Sequence, residues 1–171
     1  MSSIRPSLLT ADFFTADYRL SASVNVANRR LADILSDRIS DFLEVRNVYV
    51  SRINSPGQII GTYPQGALIK SHINFVVLPT EADGLSKDHT YPAFNRQANP
   101  AFMTLPSFEI RGKLQVTGKL NLRALLAIGT KKFMPLLQAT ATAALHPDIS
   151  FSGPVILVNK VAIEVFCLDQ S

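Results

Sequence analysis

The sequence predicts an α+β protein in which two β-α-β-β(-β) repeats pack as one pseudo-twofold barrel or sandwich. The chain has 171 residues, of which 47% are hydrophobic and 18% charged, so it can bury a sizeable core in one compact domain. Its apolar blocks also occur twice in the same order. A single unit of about 60 residues cannot cover both faces of its own sheet, so the two copies are expected to pack together.

The internal repeat is carried by three blocks that keep their order and almost their spacing. The matched segments are 29–50 with 120–141, 68–77 with 158–167, and 19–26 with 111–118. In this alignment Lys70 falls on Lys160, and Asn47 falls on Gln138. We therefore predict that an ancestral half-domain was duplicated.

Each repeat is predicted to begin with a strand and a short helix. Apolar residues alternate along 20–26 and again along 114–116, which indicates a strand. Leucine and isoleucine then recur at helical spacing over 31–35 and 122–126. Gly129 is placed to end the second helix.

Two or three strands are predicted after each helix, because β-branched and aromatic residues are frequent there. They cover 48–53, 67–70 and 73–78 in the first repeat, and 139–145, 154–158 and 161–168 in the second. The predicted boundaries are an N-terminal arm over 1–16, repeat 1 over 17–79, an ordered linker over 80–106 and repeat 2 over 107–171.

A lysine interrupts the apolar run LVNKVAIEVF near the end of the chain. Because Lys160 recurs as Lys70 in the other copy, we expect the lysine at this position to have a structural role. Asparagine tolerates turns and lysine discourages edge pairing, so Asn159 and Lys160 are predicted to close one strand before the next begins. The alternative is a functional lysine pair, related by the internal symmetry, that reaches toward one ligand.

The sequence supplies no catalytic, metal or cofactor motif. His72, His89 and His146 lie far apart without ligand spacing, and no phosphate-binding glycine loop or activated serine motif occurs. Cys167 alternates with apolar residues and is predicted to be a buried, inert thiol. We therefore favour a non-enzymatic protein without cofactor or metal; an enzyme would need a pocket between the repeats, built from Lys70, His72 and Lys160.

One hexapeptide, DISFSG, resembles the D-x-S-x-x-G signature of PilZ domains, in which this loop helps bind cyclic di-GMP. The resemblance implies ligand contacts from Asp148, Ser150 and Gly153. In PilZ domains an R-x-x-x-R arm grips phosphate and guanine through planar guanidinium groups. This chain has no R-x-x-x-R, and Arg123 is the arginine at a suitable distance upstream.

The repeated motifs are similar to those of a family of small bacterial proteins to which no activity is attached. That family carries an R-L-x-D-x-L-N helix, an F-L-x-L segment and a V-N-K-x-x-I strand, against RLADILSD, DFLEV and LVNKVAI here. Ser36 replaces the asparagine of the pattern, and Ala124 replaces its acidic residue in the second copy. The resemblance implies a bacterial origin and transfers no chemistry.

These observations predict a non-enzymatic regulatory or scaffolding module that binds a protein partner or itself. The alternative is a PilZ-like regulatory protein that binds a cyclic dinucleotide. The net charge of +4 is spread along the chain, which speaks against nucleic acid as a partner. The N-terminal stretch MSSIRPSLLTADFF shows no sustained apolar core followed by a small-residue cleavage site, and no apolar run reaches transmembrane length. We therefore expect a cytoplasmic protein without membrane insertion.

Overall fold

The computed structural model describes residues 7–84, 96–117, 121–127 and 131–169. The elements up to residue 84 are β1 (Leu8–Phe14), β2 (Tyr18–Asn25), α1 (Leu31–Ser36), β3 (Phe42–Arg52), β4 (Ser55–Ile69), β5 (Phe75–Leu78) and α2 (Glu81–Gly84). The elements from residue 96 onward are β6 (Arg96–Leu105), β7 (Phe108–Thr117), α3 (Leu122–Leu126), β8 (Phe133–Ala143), β9 (His146–Asn159) and β10 (Val165–Leu168). The strands form one sheet in the order β10-β6-β7-β8-β9-β5-β1-β2-β3-β4.

The predicted α+β barrel or sandwich of β-α-β repeats is wrong. Neighbouring strands pair antiparallel throughout the described sheet, and the sheet is open, with β10 and β4 at its two edges. The longest of the described helices, α1, has six residues. Much of the error comes from 55–66, whose glycines and prolines resemble a loop although the segment is a strand paired to β3.

The same strand order occurs in both halves of the sheet. We call residues 8–78 the first half and residues 96–168 the second half. Their orders are β5-β1-β2-β3-β4 and β10-β6-β7-β8-β9. Each half shows a register shift between its second and third strands, where Asn47 and Gln138 adopt positive φ values of 52° and 46°. The duplication itself stays a prediction.

Each half begins one strand earlier than the predicted repeats. β1 lies in the predicted arm, where it pairs with both β2 and β5. β6 occupies the last part of the predicted linker and pairs with β7 and β10. Both first strands are therefore part of the sheet rather than connections.

The two halves join where β5 pairs with β9, and we call this pairing the seam. Its register runs from Phe75 opposite Val158 to Leu78 opposite Val155. Beyond the paired stretch, the backbone N–H of Asn159 donates to the carbonyl of Asn74 at 2.9 Å. The side-chain amide of Asn159 donates to the carbonyl of Ile73 at 2.9 Å, so the seam closes with satisfied polar groups.

Two hydrophobic cores lie on opposite faces of the sheet, and the strands at the seam contribute to both. Val155 and Leu157 face the core of the first half, whereas Ile156 and Val158 face that of the second half. These four side chains are completely buried. Full burial of an aliphatic side chain contributes roughly 1.5–3 kcal/mol, so the seam belongs to the most stabilised part of the sheet.

Aromatic side chains from both halves meet in the second core. The rings of Phe14 and Phe75 stack with centroids 4.4 Å apart, and Phe108 packs edge-on against Phe75 at 4.8 Å. Because Phe14 and Phe75 come from the first half, this core depends on both halves of the chain.

None of the α-helices in the described ranges is long and apolar enough to cross a lipid bilayer.

Candidate functional site

The first of the two recurrent lysines is almost fully buried. β4 ends at Ile69, and Lys70–His72 form a 3-10 turn in which Lys70 is only 8% exposed. The Lys70 ammonium donates to the Ile34 carbonyl at 2.7 Å and to Asp37 Oδ1 at 2.9 Å. Since carbonyls in the last turn of a helix lack partners within the helix, Lys70 closes the end of α1.

Asp37 holds two cations at once. Its Oδ1 accepts from Lys70, and its Oδ2 lies 2.9 Å from the Arg29 guanidinium. Burial acts to raise the pKa of Asp37, but the hydrogen bonds from Lys70 and Arg29 outweigh it, so this pKa lies below the usual 3.8. Asp37 is therefore a carboxylate at neutral pH, and the Lys70 ammonium forms an ion pair with it.

The second lysine makes the corresponding contact more weakly. Lys160 begins the 3-10 turn Lys160–Ala162, and its ammonium donates to the Ala127 carbonyl at 3.2 Å, directly after α3. Burial, together with the nearby charge of Lys131, lowers the pKa of Lys160. The two ammonium groups thus bind the ends of two separate helices. This arrangement accounts for the recurrent lysine as a feature of the turn.

The turn at Asn159 and Lys160 agrees with the sequence-based expectation, but the strands on either side of it do not keep the predicted bounds of 154–158 and 161–168. β9 ends at Asn159, whose side-chain oxygen accepts from the backbone N–H of Val161 at 3.2 Å. β10 begins at Val165, after the 3-10 turn. Gly129, predicted to end the preceding helix, lies outside the described residues.

The residues of the PilZ-like hexapeptide lie within a strand rather than in a loop. Asp148, Ser150 and Gly153 belong to β9, and both polar side chains are exposed. A Cβ atom at Gly153 would lie 2.7 Å from Val77 Cγ1, so close approach of β5 explains this glycine. Arg123 is exposed on α3, and no hydrogen bond joins it to these three residues.

The described histidines and the cysteine lie in different elements. His72 ends a 3-10 turn, and His146 is the first residue of β9. His89 lies outside the described residues. Within the described ranges no three His, Cys, Asp or Glu side chains are grouped to hold a metal ion. Cys167 is exposed, so the predicted buried thiol is wrong; β10 is an edge strand with one side open.

A groove of about 440 Å³ lies close to the seam. Its lining includes Leu35, Ile69, Lys70, Phe133 and Val161. Of the three residues that an enzymatic pocket was expected to combine, only Lys70 lines this groove. Its ammonium is already bound to α1. The groove lining also includes the polar residues Ser40, Asp41, Ser71, Lys132 and Asn159.

The two edges of the sheet expose large apolar side chains. Ile59, Tyr63 and Ile69 of β4 are 54%, 56% and 49% exposed. At the other edge Val165 of β10 is 48% exposed. Scattered apolar residues are common on protein surfaces, but rows of them on unpaired strands are typical of interaction surfaces.

Sequence reasoning missed the β4 edge. The segment SPGQIIGTYPQGALI contains two prolines and three glycines, which together resemble a loop. Proline inside a strand is most often found at edges and bulges. Here, however, Pro135 and Pro154 lie in the interior strands β8 and β9, so Pro64 by itself did not signal an edge.

Searches against protein-family models, curated proteins and solved structures found no significant match to this chain.

Proposed function

We propose that this protein is a non-enzymatic scaffolding module that works by associating with copies of itself. The observation that carries the proposal is the open sheet: among the described residues, β4 and β10 each have one unpaired side, and both carry exposed apolar side chains. An unpaired strand offers a row of backbone donors and acceptors to any strand that can align with it.

The composition of both edges favours this association. Edge strands are commonly protected by charged side chains, above all lysine. β4 has no charged residue along its 15 positions, and β10 has the sequence VFCL. Pairing at these edges would therefore desolvate no charged side chain belonging to either strand.

The oligomeric state tests the proposal. We expect light scattering on a size-exclusion column to give masses above the 18.7 kDa monomer, increasing with protein concentration. A mass of 18.7 kDa at every concentration up to the millimolar range would contradict self-association. Bovine serum albumin run on the same column controls for column-dependent aggregation.

The cyclic dinucleotide alternative stays a prediction based on the DISFSG resemblance. Titration of the protein with fluorescently labelled cyclic di-GMP tests it separately. Saturable binding that is lost in Asp148→Ala would support this alternative, whereas absence of binding at micromolar ligand would end it.

A further inference from the structure

We propose that β4 of one copy pairs with β10 of the next copy, in the register in which β9 pairs with β5 inside the chain. The inference rests on the self-association proposed above and names its surfaces. It would extend the sheet continuously from one molecule into another.

The logic of the strand order leads to this pairing. At the seam, the fourth strand of the second half, β9, pairs with the fifth strand of the first half, β5. The strands left with one open side in the described sheet are β4 and β10, which are the fourth strand of the first half and the fifth strand of the second. One free edge is therefore a fourth strand and the other is a fifth strand, which is the combination that pairs at the seam.

On the β10 side, the difference in burial between corresponding residues of the two halves supports the same pairing. Three apolar residues of the first half are completely buried near the seam, and the residues at the same positions of the second half are exposed. The exposed fractions for the three pairs are 0% for Leu31 and 48% for Leu122, 0% for Leu35 and 36% for Leu126, and 0% for Phe75 and 48% for Val165. These exposed residues are the ones that a second copy would cover.

The β4 side shows the matching difference. Phe133 and Phe42 are the first residues of β8 and β3, the third strands of the two halves. Phe133 packs into the core of the first half, next to the seam, and is 3% exposed, whereas Phe42 is 45% exposed. Similarly, Asn159 ends β9 at 4% exposure, and Ile69 ends β4 at 49%.

The seam also predicts the intermolecular register. Transferring its pairs places Val165 opposite Leu68, Phe166 opposite Ala67, Cys167 opposite Gly66 and Leu168 opposite Gln65. Pro154 directly precedes the paired stretch of β9, and Pro64 stands at the same distance from the end of β4. Since proline cannot donate a backbone hydrogen bond, it is compatible with the point where a ladder ends.

At one pair of this register, the side-chain sizes compensate for each other. Within the chain Val76 lies opposite Leu157. Between copies the larger Phe166 would lie opposite the smaller Ala67. The total volume across the pair is thus similar, which close packing requires.

The pairing is head-to-tail, because it joins two different surfaces. Each copy has one β4 edge and one β10 edge, and binding through one leaves the other open. Such an interface generates a ring if its rotation closes and a filament if it does not.

Two variants that each block one edge test the arrangement. Phe42→Lys with Ile69→Lys places charge at the β4 edge, and Leu126→Lys with Val165→Lys places charge at the β10 side. All four residues are exposed in the monomer, so both variants should fold, which circular dichroism checks. We expect each variant alone to be monomeric by light scattering and their equimolar mixture to form dimers that grow no further.

The outcomes separate this inference from the general proposal. If the variant blocked at β10 still dimerises alone, β4 pairs with itself, and the head-to-tail pairing is wrong. Wild-type oligomers that persist in both variants would also overturn it while leaving self-association intact. A monomeric wild-type protein would overturn both.

A disulfide tests the register without blocking an edge. Gly66→Cys would lie opposite Cys167 of the next copy, and a Cβ at Gly66 comes no closer than 3.4 Å to Val48. Directly opposite residues in antiparallel strands have the Cα separation that a disulfide needs. Oxidised glutathione would take up the two electrons and two protons released by the thiols.

We expect Gly66→Cys to give a ladder of covalent multimers on a non-reducing gel, and adding Cys167→Ser to abolish the ladder. Thr62→Cys is the matched control, because it lies further along the same strand and outside the paired stretch. Equal cross-linking of both cysteine variants, or none in an assembled Gly66→Cys protein, would show that the proposed register is wrong.

Discussion

Lys70 and Lys160 occupy the same position in the two halves, yet their surroundings differ. Lys70 donates to a helix carbonyl at 2.7 Å and to a carboxylate at 2.9 Å, within a nearly closed environment. Lys160 has one described acceptor, at 3.2 Å, and burial lowers its pKa. The same turn is therefore strongly anchored in the first half and weakly anchored in the second.

Replacement of each lysine by methionine should reveal this difference. Lys70→Met removes hydrogen bonds to a carboxylate and a carbonyl, and we expect it to lower the free energy of unfolding by roughly 1.5–3 kcal/mol. Lys160→Met loses one longer bond of an incompletely buried ammonium, for which we expect less than about 1 kcal/mol. Urea denaturation measures both, and equal losses would contradict the assignment.

Asp37 should make stability depend on pH in the acid range. Its pKa is lower in the folded protein than in the unfolded chain, so the unfolded state binds more protons between the two values. The stabilisation is complete above the unfolded pKa, near 3.8, and is lost as the pH falls through the folded pKa. Thermal melts from roughly pH 2 to pH 6 should therefore show a steeper loss for wild type than for Asp37→Asn; parallel curves would exclude this role.

At the scale of elements, β9 changes its surroundings along its length. His146 and residues 150–153 pair with β8 alone, whereas 155–158 lie between β8 and β5 and are completely buried. Gly153 stands at the change, where β5 approaches too closely for a side chain. The glycine of the DISFSG hexapeptide is therefore explained by strand packing.

Gly153→Ala should destabilise the protein by about 1–3 kcal/mol, because the new methyl group overlaps Val77 Cγ1. Gly66→Ala is the matched control on β4, because a Cβ at this position would lie 3.4 Å from its nearest neighbour, Val48 Cγ2. We expect it to change the free energy of unfolding by less than about 1 kcal/mol. Thermal melts at low protein concentration measure both variants. If Gly153→Ala leaves the stability unchanged, β5 can shift to accommodate the methyl group at this point.

At the scale of the whole molecule, the open sheet links folding to assembly. A copy that binds only folded copies stabilises the native state by mass action. We therefore expect the melting temperature of wild type to increase with protein concentration. Differential scanning calorimetry should show no such dependence for Phe42→Lys with Ile69→Lys, whose β4 edge is blocked. A wild-type melting temperature independent of concentration would contradict the link.

Several elements could be predicted from the sequence because their signals are local. The helical spacing of Leu31 and Leu35 predicts α1, and the alternating threonines of ATATAALHP predict a strand where β8 lies. The antiparallel order of the strands could not be predicted in this way. It depends on which strands meet, and β4 in particular carries glycines and prolines that hide its extended conformation.

The sequence by itself determined the two lysine turns, the helices α1 and α3 and the recurrence of apolar blocks, since each depends on neighbouring residues or on simple periodicity. Only the tertiary structure decided which of those blocks are covered. Phe42 and Phe133 begin corresponding strands, but Phe42 is exposed and Phe133 is buried. The second half packs against β5 and α1 at the seam, whereas no strand of the described sheet lies beyond β4. Burial depends on a partner distant in the chain, and local sequence does not reveal whether that partner is present.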